Sequence, residues 1–173
     1  KDKVAVVTGG AGGIGSVVCS TLAQKGAAVA VVDLDKDSAL RVANRLPSSG
    51  KSALALGVDV TSQKSVKNTV DTIVDKYGQI DILVHCAGNN VKAAILEMSL
   101  QQWQSSLDTH LTGAFLFCQA AGKQMVQQGN GGAVVLMSSV AAMAPVPERG
   151  AYTPAKAGLI GLAKLLSIEW AQY

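Results

Sequence analysis

Apolar residues recur in two rhythms along this 173-residue chain. Short runs of Val, Ile, Leu and Ala alternate with longer stretches in which apolar residues return every three or four positions, the period of a helix. The short runs are nearly continuous in apolar residues, which predicts strands covered on both faces, as in a parallel sheet with crossover helices. Five strands are predicted, at Val4 to Thr8, Ala28 to Asp33, Ala53 to Val60, Ile80 to Cys86 and Ala133 to Ser138.

Three later stretches predict amphipathic or capped helices. One has its apolar face at Val66, Val70, Ile73, Val74 and Tyr77. Ser99 followed by Gln102 is a capping-box pattern, and it predicts a long helix that continues to Met125. A last helix is predicted from Tyr152 to about Tyr173.

Composition narrows the class of protein. At 49% hydrophobic residues the chain can bury one sizeable core, so a single domain is expected. The formal charge is +3 and the basic residues are scattered, which argues against a nucleic-acid partner or an anionic membrane surface. The longest apolar stretches fall short of the roughly 20 residues that span a bilayer, so no membrane segment is expected.

The cysteine content points to a reducing compartment. Cys19, Cys86 and Cys118 are an odd number, and each lies in an apolar or helical stretch that suits a buried, reduced thiol. We therefore expect a cytoplasmic location.

The first predicted strand leads into a glycine-rich loop, Thr8 to Gly15, which is followed by a predicted helix, Ser16 to Gln24. Glycines permit positive φ and close backbone approach, and the amides at a helix N-terminus attract a pyrophosphate. A flexible turn without a ligand is the alternative. The loop residues expected to bind a dinucleotide cofactor are Gly9, Gly12, Gly13, Ile14 and Gly15.

Asp33 ends the second predicted strand, where a carboxylate can accept hydrogen bonds from the adenosine ribose of a dinucleotide. Its charge would repel the 2′-phosphate of NADP, and Leu34 offers no compensating cation. NAD is therefore the expected cofactor in preference to NADP. The alternative is that Asp33 is only the first residue of a turn.

Tyr152 and Lys156 lie four residues apart on one predicted helix, with Ser139 thirteen positions before Tyr152. A phenol and an ammonium at this spacing share a helix face, so the cation can favour the phenolate. Tyr152 is thus a candidate general acid/base. Taken singly, the three residues would be an ordinary strand-end hydroxyl, a half-buried aromatic residue and a solvated lysine.

With these motifs in place, the chain resembles the short-chain dehydrogenase/reductase family over essentially its whole length. The resemblance implies an α/β fold with a doubly wound, Rossmann-like parallel sheet, a nicotinamide cofactor and hydride transfer at a carbonyl carbon. It also implies a homotetramer assembled through two long helices. Residues 1–173 would form a single dinucleotide-binding catalytic domain without the C-terminal strands and substrate-capping segment that family members carry.

The resemblance also assigns roles to individual residues. Tyr152 would transfer the proton, Ser139 would hold the substrate oxygen, and Lys156 would bind the nicotinamide ribose and stabilise the tyrosinate. The cofactor residues that the family adds to the glycine loop and Asp33 are Leu34, Asp59, Val60, Cys86, Ala87, Gly88, Tyr152 and Lys156. From the residues alone, Asp59 could equally be a turn residue before the next helix.

Two features depart from the family pattern, one a pair of residues and the other a single residue. His85 and Cys86 stand where members usually carry two asparagines, so other packing must brace the fourth strand. His110 stands where an Asn usually anchors a water in the proton relay. An imidazole can also hold that water, although a simple buried histidine is the alternative. The two histidines are too few and too dispersed to indicate a metal site.

The substrate is expected to be a small alcohol or ketone. One pocket wall is predicted after Ser139, at Ala141, Met143, Ala144 and Pro145, with Glu148 and Arg149 at the mouth. An NAD preference favours oxidation of a secondary alcohol or polyol. The alternatives are a 3-oxoacyl-thioester reductase and a dinucleotide-binding or scaffolding protein without turnover.

Overall fold

A computed structural model describes residues 2–47 and 52–173, in which strands and helices alternate. The strands are β1 (Val4–Thr8), β2 (Ala28–Asp33), β3 (Leu54–Gly57), β4 (Ile82–His85) and β5 (Ala133–Leu136). The α-helices are α1 (Gly13–Gln24), α2 (Lys36–Ala43), α3 (Gln63–Tyr77), α4 (Leu100–Leu107), α5 (Gly113–Gln128) and α6 (Tyr152–Glu169). A π-helical turn (Asp108–Thr112) joins α4 to α5, and a short 3-10 turn (Val140–Ala142) follows β5.

All strand pairs are parallel, and the strands lie in the order β3-β2-β1-β4-β5. The predicted doubly wound parallel sheet is confirmed. The chain runs outward from β1 in one direction and from β4 in the other, so the order reverses between these two neighbours. In open α/β sheets, ligands bind at the carboxyl ends of the strands beside such a reversal.

The core lies on both faces of the sheet. Val4 and Val6 of β1 belong to the apolar cluster that includes α3 and α5, whereas Ala5 and Val7 belong to the cluster that includes α1 and α2. This alternation explains why β1 is apolar at every position. The expectation that every strand is covered on both faces is wrong for the outer strands, because β3 is only partly buried and Val135 of β5 is 47% exposed.

The helices differ from the sequence-based expectation in four places. Helix α1 begins at Gly13, before the predicted Ser16. Helix α2 was not predicted; it follows Asp35, whose side chain accepts a hydrogen bond from the Asp37 amide as an N-cap. The single long helix expected after Ser99 contains the π-helical turn, which divides it into α4 and α5. Helix α6 ends at Glu169 instead of reaching Tyr173.

Within the described ranges, no helix is both long enough and apolar enough to cross a bilayer.

Candidate active site

The glycine loop between β1 and α1 is closed by its own backbone. The Gly12 amide donates to Gly9 O at 3.1 Å, and Gly9 has a φ of +63°, in the left-handed region that favours glycine. A Cβ on Gly15 would come within 2.1 Å of Gly9 O. The loop therefore needs glycine at both positions to keep the start of α1 close to the end of β1.

Asp33 holds this loop from the neighbouring strand. The Ala11 amide donates to Asp33 Oδ2 at 2.9 Å, and the Asp35 amide donates to Oδ1 at 3.3 Å. Asp33 is therefore both a turn residue and a brace for the glycine loop, and the brace has no signal in the sequence because it spans 22 residues.

A cleft of about 590 Å³ opens along the carboxyl ends of the strands beside this loop. The predicted cofactor residues that line it are Gly9, Gly12, Asp33, Leu34, Asp59, Val60, Cys86, Ala87 and Gly88. Asp59 also accepts hydrogen bonds from the Thr61 amide at 2.9 Å and the Thr61 hydroxyl at 2.7 Å. The turn role and the cleft position of Asp59 thus coexist. We call this space the loop cleft.

A second cleft, of about 710 Å³, contains the predicted catalytic residues. Ser139, Tyr152, Lys156, His110 and Ile14 all line it. It shares Cys86, Gly88 and Asn89 with the loop cleft, so the two spaces are continuous. We call the second space the catalytic cleft.

Some predicted residues lie outside both linings. Gly13 and Gly15 line neither cleft, and Gly15 instead packs on Gly9. Met143 was expected on the pocket wall, but it is 84% exposed and is not part of the lining. Pro145 and Glu148 are likewise outside the lining, whereas the predicted Ala141, Ala144 and Arg149 line the cleft, together with Val146.

The start of helix α6 places Tyr152 and Lys156 together. Lys156 Nζ lies 5.6 Å from the centre of the Tyr152 ring and donates to Met137 O at 2.6 Å. Lys156 is buried, which lowers the pKa of its ammonium below the usual value, and the nearby Cys86 thiol acts in the opposite direction. Burial likewise raises the pKa of the Cys86 thiol, against the influence of Lys156.

The loop after β5 is pinned to α6 by a residue that sequence reasoning did not single out. Ser138 Oγ donates to Lys156 O at 2.8 Å, while Ser139 Oγ accepts from the Ala141 amide at 3.2 Å. Ser138 thereby fixes the position of its neighbour Ser139 relative to the helix that carries Tyr152 and Lys156.

His110, in the π-helical turn, packs against the catalytic tyrosine candidate. Its ring meets the Tyr152 ring edge-on, with the ring centres 5.2 Å apart. His110 Nε2 lies 2.9 Å from Asn89 O and 3.3 Å from the Asn89 amide nitrogen, and one tautomer can make only one of these two hydrogen bonds. The shorter contact favours a proton on Nε2, which leaves Nδ1 as an acceptor. Nδ1 is buried and has no hydrogen-bond partner among the described residues. Burial, and then the Lys156 charge, lower the pKa of His110 to about 4, so the ring is neutral at pH 7.

His85 supplies the brace for β4 that the sequence left open. Thr8 Oγ1 lies 2.9 Å from His85 Nδ1 and accepts from the Ala87 amide at 3.3 Å. The Thr8 hydroxyl proton is therefore available to His85 Nδ1. Burial, followed by the charges of Lys156 and His110, lowers the pKa of His85 to about 3, so this imidazole is also neutral. One hydroxyl thus joins the ends of β1 and β4.

Fold and site together define a Rossmann-like α/β structure with a candidate Ser-Tyr-Lys set beside the glycine loop. The chain belongs to the short-chain dehydrogenase family, whose family model matches residues 3–173.

Three proteins that this chain resembles are named for sugar alcohols. The chain is 42% identical to the D-threitol dehydrogenase of Mycolicibacterium smegmatis, over 97% of this chain and 64% of that protein. It is 35% identical to the NAD-dependent glycerol dehydrogenase of Listeria innocua, over 99% of this chain and 66% of that protein. A crystal structure of an NAD+-bound xylitol dehydrogenase superimposes with a TM-score of 0.95 at 31% identity, covering 100% of this chain and 66% of that one. The chain thus spans about two thirds of the length of these relatives.

Proposed function

We propose that this chain carries the catalytic site of a nicotinamide-dependent dehydrogenase that interconverts a secondary alcohol or polyol and its ketone. The observation that carries the proposal is the continuity of the loop cleft with the catalytic cleft, which brings Ser139, Tyr152 and Lys156 to the end of the glycine loop. The names of the threitol, glycerol and xylitol dehydrogenases support a polyol substrate.

The residues of the loop cleft fit a dinucleotide. A Cβ on Gly9 would come within 2.8 Å of the Ala87 backbone, so the loop lies close against the end of β4 and leaves room above it for phosphates. Asp33 lies at the edge of the cleft and bears a negative charge, which supports NAD over NADP, because a 2′-phosphate would be repelled. One relative, an L-rhamnose 1-dehydrogenase of Azotobacter vinelandii, is named as using NAD(P)+, so the preference rests on Asp33 itself.

In the proposed reaction, the Tyr152 phenolate takes the proton from the substrate hydroxyl as the carbonyl forms, and returns it in the reverse direction. A bound nicotinamide would supply the hydride acceptor or donor. Ser139 donates a hydrogen bond to the reacting oxygen and holds it in line with Tyr152. The Lys156 ammonium favours the phenolate by its charge, and its bond to Met137 O fixes its position.

His110 is proposed to take the place of the relay Asn of the family. His110 lines the catalytic cleft, and its buried Nδ1 has no hydrogen-bond partner among the described residues, so a water that reaches Nδ1 would complete a relay that passes protons away from Lys156. His110→Ala should lower kcat while leaving the NAD dissociation constant nearly unchanged, and His110→Asn should restore part of the turnover. Unchanged kcat in His110→Ala would refute this role.

The helices that frame the site also support an oligomer. Leu100, Phe115, Leu165 and Ile168, on α4, α5 and α6, are large apolar residues that are each at least 45% exposed. We propose that these helices assemble a homotetramer. Light scattering coupled to size exclusion tests this, and a monomer at micromolar concentration would contradict it.

The test of the proposed function is a steady-state assay of NADH formation with secondary alcohols, sugar alcohols and hydroxyacyl thioesters. Wild type should oxidise at least one secondary alcohol or polyol, and Tyr152→Phe should lower kcat by at least 100-fold, because it removes the proton acceptor. NAD binding by calorimetry should survive in Tyr152→Phe. Binding without turnover of any substrate by the wild type would instead identify a dinucleotide-binding protein without catalysis.

A further inference from the structure

A cation that the reaction does not use lies at the open side of the catalytic cleft. Arg149 lines this cleft, and its guanidinium carbon lies 5.5 Å from the centre of the Tyr152 ring. The same phenol carries the hydroxyl proposed to react. Because Arg149 and Tyr152 line the same cleft, a substrate held at the Tyr152 hydroxyl can present a second group to this guanidinium.

The backbone of Arg149 is fixed on both sides. Arg149 O accepts from the Thr153 amide at 3.0 Å at the start of α6. Glu148 has a φ of +62°, and its carbonyl accepts from the Ala93 amide at 3.2 Å, beside an isolated parallel bridge between Ala93 and Arg149. These contacts are made by main-chain atoms, so the loop does not depend on the Arg149 side chain for its path.

The side chain is held but its charge is not neutralised. Arg149 Nη1 donates to Asn90 Oδ1, a neutral acceptor that also lines the cleft. A guanidinium has five N–H donors, so this bond leaves others for a ligand. Within residues 2–47 and 52–173, no carboxylate pairs with Arg149, and the lining of the catalytic cleft contains no Asp or Glu. A half-buried guanidinium with unused donors is stabilised by an oxygen acceptor of a ligand.

We propose that Arg149 is a specificity-determining residue that selects substrates with a second oxygen on the carbon next to the reacting one. Its remaining N–H groups donate to that oxygen while Tyr152 and Ser139 hold the reacting oxygen. This inference rests on the proposed function, since it presupposes alcohol oxidation at Tyr152. Both a neighbouring hydroxyl, as in a polyol, and a neighbouring carboxylate, as in a 2-hydroxy acid, present the required acceptor.

The test compares three four-carbon substrates that share the reacting group: 2-butanol, 2,3-butanediol and 2-hydroxybutyrate. Wild type should prefer at least one of the two oxygen-bearing substrates to 2-butanol in kcat/KM. Arg149→Met should lower that preference by about 10-fold or more, as expected for the loss of a hydrogen bond to a charged group. Arg149→Lys keeps the charge without the fork and should give an intermediate preference. A larger effect on 2-hydroxybutyrate identifies a carboxylate ligand, and a larger effect on the diol identifies a hydroxyl.

The matched control is Lys92→Met, which removes an exposed cation from the nearby loop but not from the cleft lining. It should leave the preference as in wild type. If Arg149→Met lowers kcat/KM equally for all three substrates, the side chain only supports the loop and the inference fails while the dehydrogenase function stands. If the wild type itself shows no preference over 2-butanol, the inference also fails. If wild type turns over none of the three, the inference fails, and the NADH assay with the wider panel of alcohols and sugar alcohols decides whether the proposed function stands.

Discussion

The imidazole of His110 lies against the α-carbon of Gly88, where an added Cβ would come within 2.2 Å of His110 Cε1 and 2.7 Å of its Nδ1. The π-helical turn and the end of β4 are therefore fitted to each other through a glycine and a histidine. Contacts below 3 Å of this kind cannot be kept, so one of the two groups must move when a methyl group is added.

Gly88→Ala should destabilise the protein by about 1 to 3 kcal/mol, the usual range for overpacking, unless the ring is removed as well. Urea unfolding of Gly88→Ala, His110→Ala and the double variant measures the coupling between the two sites. The double variant should be clearly more stable than the sum of the single effects predicts. Additive effects would mean that Gly88 and His110 are not in contact in solution.

Acid should destabilise this protein well above the range in which carboxylates titrate. The pKa values of His85 and His110 are lowered from 6.5 to about 3 and about 4, respectively. The unfolded chain therefore binds more protons than the folded protein as pH falls below 6.5, and stability falls with it. Between pH 7 and pH 4.5, each imidazole should lower the free energy of unfolding by roughly 2 to 3 kcal/mol.

Melting temperatures at pH 7 and pH 4.5 check this expectation. The control is the pair of variants His85→Asn and His110→Asn, each of which should show a smaller loss between the two pH values than wild type. The pKa values of Asp35 and Asp81 are lowered from 3.8, so the stability that these carboxylates contribute is lost mainly below about pH 3.8, outside this window. An identical acid loss in wild type and both variants would contradict the assignment to histidine.

The central strands could be predicted, and the candidate site residues singled out, from the sequence because both have local signatures. The apolar run of β1 and the glycine loop that follows it are contiguous, and Tyr152 and Lys156 share one helix. Helix α2 was missed because its eight residues bury only Ala39 and Ala43, and its cap, Asp35, fits a turn equally well.

Contacts between distant residues had no such signal. The Thr8–His85 hydrogen bond spans 77 residues. It braces β4 without the usual asparagines, and it could be recognised only once the structure had brought the two residues together. The π-helical turn has no local sequence pattern that distinguishes it from the helix on either side. Arg149 could be placed at the pocket mouth from its position after Ser139, but its contact with the Tyr152 ring depends on the backbone bridge to Ala93.

Asp33 accepts a hydrogen bond from the Ala11 amide, and its proposed second task is to present a charge to the cofactor. Asp33→Asn keeps one acceptor oxygen, for the Ala11 amide, but it loses the acceptor for the Asp35 amide and the charge. It should therefore lower the melting temperature only slightly and reduce the preference for NAD over NADP by about 10-fold or more. Asp33→Ala removes both acceptors and the charge and should lower the melting temperature further.

Calorimetric titration of both dinucleotides into the two variants and wild type measures the preference. Adding Leu34→Arg to Asp33→Asn should invert it, because Leu34 is 77% exposed at the edge of the loop cleft and an arginine there can pair with a 2′-phosphate. A wild type that binds NADP as tightly as NAD would contradict the role given to the Asp33 charge.

Gly13 and Gly15 provide a matched pair that separates loop packing from cofactor binding. An added Cβ at Gly13 meets nothing within 4 Å, whereas one at Gly15 would lie 2.1 Å from Gly9 O. Gly13→Ala should therefore keep or raise the melting temperature, since alanine favours the helix. The free energy of unfolding should rise by up to about 1 kcal/mol. Gly15→Ala should lower the melting temperature, because the start of α1 must move away from β1.

If a dinucleotide lies along this loop, Gly13→Ala should still weaken NAD binding in calorimetry, because its new methyl group stands at the N-terminus of α1, where phosphates bind. Unchanged NAD affinity in Gly13→Ala would remove Gly13 from the cofactor site.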